Sequence, residues 1–425
     1  MKKIAWFIPR VTKGSGGHRT IIQHINLLID NGYQCDIYVK NDVSYTASQI
    51  SKQINEYYMP CTAKVYKGWD TNKKYDIVFA TSWDSAYYAN KVNAKDKFYF
   101  VQDFEPWFFS MGDNHLFAEN TYRMNFKAIT IGKWLSHKLN SEYNMSSQYF
   151  SFCADLETYK NLDSKKENAI CIIFQPNKPR RCVNLLISTI KIINKMNPDI
   201  KIYLYGSEKQ DIKGIKVKHL GILSPKELND LYNRCKLGVS MSSSNPSRIP
   251  FEMMASGLPV VELYRENNLY DMPEDAVLLS ESTPENLALN IIELYKNAKL
   301  RKQMSEKASE YMKDYPLGTD YIEFMDAFNN LLEGKNTIKR IKKSYTKPIE
   351  VNEKELKKIM NHSDHNIDFS LTDNLIQSLE EENTKLREEL VNNLNEMNEF
   401  LNSKRWKLIN KVMAPLDIIE RKIKR

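Results

Sequence analysis

Short apolar runs rich in β-branched and aromatic residues alternate with stretches of helical spacing over the first 150 residues, and the alternation restarts near residue 169. No other feature constrains the fold as much. Strands that alternate with helices pair in parallel and need helices on both faces of their sheet. In the first unit, strands are expected at residues 3–8, 35–39, 76–80, 97–101, 128–131 and 148–152. Between the first two, Ile21, Ile25, Leu28 and Ile29 recur at helical spacing over residues 20–31, and Gly32 follows as a stop. In the second unit, strands are expected at 169–174, 201–205, 237–240 and 259–263, with helices at 182–196 and 251–256. Ser224-Pro225-Lys226-Glu227 has the order of a helix start: Ser as N-cap, Pro in the first position, Glu three residues on. The polar stretch 155–168 joins the two units.

The length, 425 residues, suits two domains and more, since one core rarely organises beyond roughly 250–300 residues. Apolar residues make up 42% of the chain, too many for a disordered protein. The six cysteines (Cys35, Cys61, Cys153, Cys171, Cys182 and Cys235) form no C-x-x-C pair, so they read as reduced thiols rather than a disulfide framework or zinc site. His362 and His365 have metal-like spacing but fall in a linker, and Asn144-Met145-Ser146 is a sequon that a cytosolic chain leaves unused. No apolar run approaches the roughly 18–20 residues that span a bilayer, and residues 1–9 are too short and strand-like for a signal peptide. A repeat of 20–50 residues is absent.

These patterns divide the chain into a first domain at 1–160, a second at 161–334, a linker at 335–370, a coiled coil at 371–402 and a basic amphipathic tail helix at 403–425. The net charge of +8 is blocked rather than diffuse. Residues 335–347 hold 6 basic and 0 acidic residues (+6), 371–402 hold 2 and 8 (−6), and 403–425 hold 8 and 2 (+6). Leu375, Leu379, Leu386, Leu390, Leu394, Met397 and Leu401 are mostly three, four or seven apart, with Glu382 and Asn393 interrupting the seam. That spacing allows a homo-oligomer or a partner helix. In the tail, Trp406, Leu408, Ile409, Val412 and Met413 lie among lysines, which fits a helix on an anionic membrane, with packing on the acidic coil as the alternative. No recognition motif accompanies the charge, so nucleic acid is not the expected partner.

Four stretches carry possible chemistry. Lys13-Gly14-Ser15-Gly16-Gly17-His18 follows the first strand, where glycines admit a ligand and a helix N-terminus favours an anion. Asp103 and Glu105 follow the strand at 97–101, where open α/β sheets bind ligands, and Phe104, Trp107, Phe108 and Phe109 surround them. Those aromatics either pack in the core or face a sugar. Lys178-Pro179-Arg180-Arg181 follows the first strand of the second unit, and guanidinium groups there suit phosphate. Residues 242–259 run from a small polar loop into a helix that carries Glu252 among apolar neighbours, a carboxylate in need of a partner.

Phe251-Glu252-Met253-Met254-Ala255-Ser256-Gly257-Leu258-Pro259-Val260 resembles the donor-site signature of the retaining glycosyltransferases of family four. Gly16-Gly17-His18-Arg19-Thr20, Val101-Gln102-Asp103-Phe104-Glu105-Pro106 and Asn245-Pro246-Ser247 are similar to the rhamnan and S-layer-glycan rhamnosyltransferase branch, and the likeness covers about residues 3–330. It implies a GT-B fold, two Rossmann-like domains facing a cleft. It implies transfer with retention and without metal, from a nucleotide-sugar such as dTDP-L-rhamnose to a lipid-linked surface polysaccharide, on the inner face of the cell membrane. On this resemblance Glu252 is the second glutamate of a Glu–seven residues–Glu motif and binds the pentose hydroxyls, and Met253 follows it in the donor site. Ser244 stands where the first glutamate is usual, and Ser247 lies between the two. Arg180 and Arg181 match the basic pair that holds the diphosphate, Gly16 and Gly17 the loop that approaches it. Gly206 and Ile222 fall where the base packs. Asp103, Glu105 and His18 fall near the reacting carbon and the acceptor.

Two other functions stay open on the sequence. One is a transferase-like scaffold with impaired chemistry that assembles other enzymes through its coiled coil, motivated by Ser244 and the long tail. The other is a nucleotide-sugar epimerase of the same fold.

Overall fold

The computed structural model describes residues 1–42, 44–335, 341–349, 351–361 and 370–403. Residues 1–366 form one compact unit and the chain from 367 a second. In the first unit, strands β1 (Lys3–Ile8), β2 (Gln34–Val39), β3 (Lys64–Lys67), β4 (Tyr75–Ala80), β5 (Ala94–Val101), β6 (Lys127–Ile131) and β7 (Ser147–Phe150) form a parallel sheet in the order β3-β2-β1-β4-β5-β6-β7. Strands β8 (Ala169–Ile173), β9 (Lys201–Tyr205), β10 (Lys218–His219), β11 (Leu237–Val239), β12 (Val260–Leu263) and β13 (Val277–Ser280) form another, in the order β10-β9-β8-β11-β12-β13. The expected strands are present with ends within three residues. The unforeseen ones, β3, β10 and β13, have two to four residues each, too few to show a period.

Strand order reverses between β1 and β4 in the first sheet and between β8 and β11 in the second. In such sheets the crevice for ligand opens outside the C-terminal strand ends at the reversal. The loops after β1, β8 and β11 therefore sit at the two switch points, and the loop after β5 lies one strand away.

Helix starts follow local chemistry. The helix Gly16–Asp30 takes in Gly16 and Gly17 as its first residues, so they lie in its first turn rather than in a loop before it. Ser15 is the cap, its hydroxyl accepting the His18 N–H at 3.4 Å. The Ser224 box closes as expected: its hydroxyl accepts from the Glu227 N–H, and the Glu227 carboxylate accepts the Ser224 N–H at 2.8 Å.

Two features depart from the boundaries drawn on the sequence. The helix Thr319–Leu332 crosses back and packs on the first sheet, so the span 161–334 expected for the second domain includes a helix that covers the first. Phe328 is fully buried there, 5.1 Å from Phe98 and 5.8 Å from Phe79 between ring centres, and Phe324 lies 4.5 Å from the His24 ring. Residues 341–349 are not a free linker either. Ser344 and Tyr345 donate backbone N–H groups to the Leu269 carbonyl, Lys343 pairs with Glu266 and Lys347 with Asp275, and Tyr345 is buried.

The second unit contains the helix Ser370–Asn402. Its described seam residues, Leu386, Leu390, Leu394, Met397 and Leu401, are exposed by 41–58%. The side chains of Leu375 and Leu379, the pair His362 and His365, and the tail beyond Ser403 lie outside the described residues. Among the described residues, no helix is long and apolar enough to cross a membrane.

Glu105 proves to be part of the scaffold. It opens a 3-10 turn, Glu105–Phe108, and its carboxylate turns back into the first domain. One oxygen accepts the Trp83 N–H at 2.5 Å and the Tyr99 hydroxyl at 3.4 Å, which caps the helix Trp83–Ala89. Burial, with Asp84 and Asp103 nearby, pushes the carboxyl from 4.5 up to about 8. The folded chain then keeps a proton that the unfolded chain releases. The stability this contributes is complete below pH 4.5 and lost as pH rises through 8. Glu105→Gln is expected to melt close to wild type at pH 5 and above it at pH 8.5 in thermal scans. A second expectation is that Phe328→Ala costs about 3–5 kcal/mol in urea unfolding, because it empties an aromatic core site shared by helix and sheet.

Candidate active site

Asp103 is the centre of the junction between the two domains. It follows β5, is only 5% exposed, and accepts four hydrogen bonds. One oxygen takes the N–H groups of Phe104 (2.9 Å) and Asn245 (2.8 Å); the other takes the Ser244 hydroxyl (3.0 Å) and the Arg180 guanidinium (2.5 Å). Three of these donors belong to the second domain. Asn245 reinforces the junction, its amide donating to the carbonyls of Gln102 (3.0 Å) and Ile131 (2.9 Å). Ser244 is thus buried at the junction, its hydroxyl bonded to a carboxylate from the opposite domain.

The two arginines part company. Both lie in the 3-10 turn Pro179–Arg181 after β8, where successive residues point a third of a turn apart. Arg180 reaches the cleft. Arg181 is 3% exposed and donates to the Met241 carbonyl at 3.1 Å, so it supports the loop after β11 from below and is not presented to the cleft. Burial, then the neighbouring Arg180, lowers its pKa to about 10. Glu262 lies near it, its carboxyl pushed by burial up to about 7 while it accepts the N–H groups of Ser242 and Leu263 at 2.9 Å each. Lys178 shares the Arg180 edge, and partial burial with the two guanidiniums pulls it down to about 8. Lys178, pulled down by burial and by two neighbouring guanidiniums, is a cation that an anion nearby would favour.

Glu252 sits in the helix Ile249–Ala255 after β11. Burial lifts its carboxyl to about 7, against the opposing pull of Arg248, of Arg19 from the first domain and of Tyr159. Arg248 itself donates to the Cys153 carbonyl and pairs with Asp320, both at 3.0 Å. Met253 is fully buried, its sulfur packed where a side chain on Gly238 would stand, so its side chain belongs to the core. Ser247 is half-buried, accepting the Ile249 N–H at 3.4 Å.

Gly206 closes β9 with φ +102° and donates its N–H to the Gly221 carbonyl at 2.9 Å, while the next residue, Ile222, is 72% exposed. The pair presents backbone and one free apolar side chain. Gly16 and Gly17 face the cleft from the first domain, with the Gln102 amide donating to the Gly17 carbonyl at 3.3 Å. A side chain at Gly16 would meet open space. His18 is 9% exposed, and both ring nitrogens are engaged, with the Ser15 hydroxyl (2.9 Å) and the Pro9 carbonyl (3.5 Å). Burial lowers its pKa, and its ring stacks on Tyr58. It braces the glycine turn.

Nothing in the sequence singles out Asn245 and Arg248 as site residues within the polar stretch that holds them, or Asp271 further on. Asp271, 3% exposed in the second domain, accepts the N–H groups of Lys133 (2.8 Å) and Trp134 (3.1 Å), capping the first-domain helix Lys133–Tyr143 across the junction. Its only signal in sequence is an acid after an apolar turn, which many caps share. Arg181 Nε, Asn245 Oδ1 and Asn267 Oδ1 are buried with no hydrogen-bond partner, all around the loop 241–248. Unpartnered buried polar atoms are rare and gather where a protein is built for something besides stability.

Comparison with known proteins bears on the fold. Residues 168–292 match the model of a family described as the WsaF C-terminal domain. Over 245 residues the chain is 27% identical to the O-antigen biosynthesis protein RfbC of Myxococcus xanthus, covering 55% of this chain and 19% of RfbC, so the match spans about a fifth of that relative. Among solved structures, a TarM variant from S. aureus in complex with fondaparinux, alpha-GlcNAc-glycerol and UDP superposes with a TM-score of 0.60 at 12% identity, over 77% of this chain and all of TarM. Anabaena HepE in complex with UDP and glucose gives 0.58 at 15% identity, over 78% of this chain and all of HepE. The chain has the GT-B fold, and these likenesses support a glycosyltransferase-type family.

Proposed function

We propose that the chain is a retaining glycosyltransferase that moves a sugar from a nucleoside diphosphate to a lipid-linked surface polysaccharide, with L-rhamnose on dTDP as the donor to test first. The observation that carries this is the meeting of Arg180, Asp103 and Ser244 outside the C-terminal ends of β8, β5 and β11. Arg180 is the cation for the diphosphate, with Lys178 beside it. Cleavage of the sugar–phosphate bond builds negative charge on the leaving oxygens, and fixed guanidinium and backbone N–H groups stabilise that charge without reorganising. Glu252, poised near neutrality, accepts hydroxyls of the pentose. Gly206 and Ile222 receive the base.

Asp103 takes the place left by Ser244: a carboxylate delivered from the first domain, beside the reacting carbon, where the resemblance expects a glutamate from the second. The reading names no metal or organic cofactor, only the nucleotide-sugar as substrate. It sets the protein on the cytoplasmic face of the membrane, held by residues 403–425, with 371–402 free to pair with another helix.

Calorimetry with a panel of UDP- and dTDP-sugars, followed by transfer to lipid-extracted acceptor, tests the proposal. Arg180→Ala is expected to weaken donor binding by about 10–100-fold, the size of a hydrogen bond to a charged group. Glu252→Gln is expected to weaken it by about tenfold. Asp103→Asn is expected to lose at least about 100-fold in transfer. Donor binding without turnover in wild type, across all acceptors, supports the scaffold function instead. Full transfer by Arg180→Ala and Glu252→Ala removes the site assignment.

A further inference from the structure

The aromatic run after β5 divides into an inner and an outer face. Phe104 is 2% exposed and belongs to the core, whereas Trp107 and Phe108 are 40% and 43% exposed. In the 3-10 turn Glu105–Phe108 residues three apart lie one above the other, so Trp107 sits on the solvent side of Phe104 and covers it, while Phe108, the next residue, points a third of a turn away. The Trp107 ring is held from three directions. Phe104 meets it edge-on at 5.2 Å, Trp134 lies 5.4 Å away, and the Lys138 ammonium is 5.1 Å from its centre. Phe108 stands at the cleft itself, its ring centre 5.8 Å from the guanidinium of Arg180, which pairs with Asp103. Two adjacent large rings are therefore open to water yet fixed, on the threshold of the donor site.

We propose that Trp107 and Phe108 form a stacking platform for the saccharide acceptor, which lays the C–H face of a pyranose on the rings and directs the next hydroxyl toward Asp103. This rests on the glycosyltransferase function proposed above. A rigid aromatic face with water at its rim suits a sugar, which keeps its hydroxyls solvated while its apolar face is covered. The charge around it does not suit an anionic lipid surface. Residues 102–117 contain Asp103, Glu105 and Asp113 and no lysine or arginine, and Lys138 is paired with Glu142 and 11% exposed. Docking to anionic lipid draws on exposed cations. Met111, Leu116 and Phe117, which follow in the chain, are exposed by 78%, 47% and 50%.

The test uses the full chain and three readouts. The first is UDP and dTDP binding by calorimetry. The second is transfer kinetics against acid-released oligosaccharide from the surface polysaccharide of the producing cells. The third is flotation with phosphatidylglycerol vesicles. Trp107→Ala and Phe108→Ala are each expected to raise the acceptor KM at least tenfold, with nucleotide binding and donor hydrolysis within twofold of wild type in Trp107→Ala, whose ring does not touch Arg180. Trp107→Phe and Phe108→Tyr are expected to recover most of the loss, which a merely structural role for the rings would not require. The same oligosaccharide is expected to shift the tryptophan fluorescence of wild type and not of Trp107→Phe. Unchanged KM in both alanine variants overturns the platform. So does a loss confined to vesicle flotation, which makes the rings a membrane contact. If wild type binds no nucleotide, the glycosyltransferase function fails, and the fluorescence titration still decides whether the rings bind saccharide.

Discussion

A carboxylate removed from water between two domains must be met by donors, and Asp103 is met by four, three of them from across the junction. Removing one partner of a buried ion pair is costly, because the other charge is left desolvated and alone. This one side chain therefore fixes how far the loops after β8 and β11 approach the end of β5. The donors it gathers, a guanidinium, a hydroxyl and a backbone N–H, are also the kinds a phosphate takes. On the proposed function, a diphosphate entering the cleft competes with Asp103 for Arg180, so donor binding and the resting contact between domains share a single group. The competition frees the carboxylate where the sugar would lie.

The polar loop 241–248 holds its shape without regular structure because it is gripped from two sides. From the cleft, Asp103 takes the Ser244 hydroxyl and the Asn245 N–H. From beneath, Arg181 donates to the Met241 carbonyl, the Asn267 amide donates to the Ser242 and Ser244 carbonyls, and Glu262 accepts the Ser242 N–H. Arg180 and Arg181 thus divide one task. The first offers charge to the cleft, and the second fixes the loop against which that charge acts. A guanidinium buried on carbonyl oxygens is well suited to the second role, since it stays protonated even when burial pulls it down to about 10.

The two sheets were readable in the sequence because period and length mark a buried parallel strand, and the switch-point loops then follow from chain order alone. Glu252 was readable too, as a carboxylate among apolar neighbours that needs a partner; its carboxyl stands near neutrality with Arg248 and Arg19 nearby. What was not readable is direction. Asp103 and Glu105 are two residues apart, yet the 3-10 turn between them sends one into the cleft and the other back to cap Trp83–Ala89. Met253 follows Glu252 and points to the core behind Gly238. The helix Thr319–Leu332 shows an apolar face in its sequence, but that face does not say which of two sheets it covers. Phe324 and Phe328 fit the aromatic floor of the first sheet, and the crossing follows from that fit.

The segment after residue 335 gains its meaning from where it docks. Ser344 and Tyr345 hydrogen-bond to the Leu269 carbonyl, and the Ser344 hydroxyl to that of Tyr270. The next residue is Asp271, whose carboxylate caps the helix Lys133–Tyr143 of the first domain, while Tyr270 itself stacks on His137 at 4.7 Å. One short turn is thus held by the C-terminal strap on one side and by the opposite domain on the other. A cap at a helix N-terminus depends on the exact place of its carboxylate, since the favourable field falls off within the first turn. Anything that pulls the strap away therefore acts on the domain junction through Asp271, about as directly as a change made in the cleft. The basic residues Lys343 and Lys347, which in sequence suggested only a charged spacer, pair at the surface with Glu266 and Asp275 on either side of that turn, while the Ser344 and Tyr345 hydrogen bonds hold the strap.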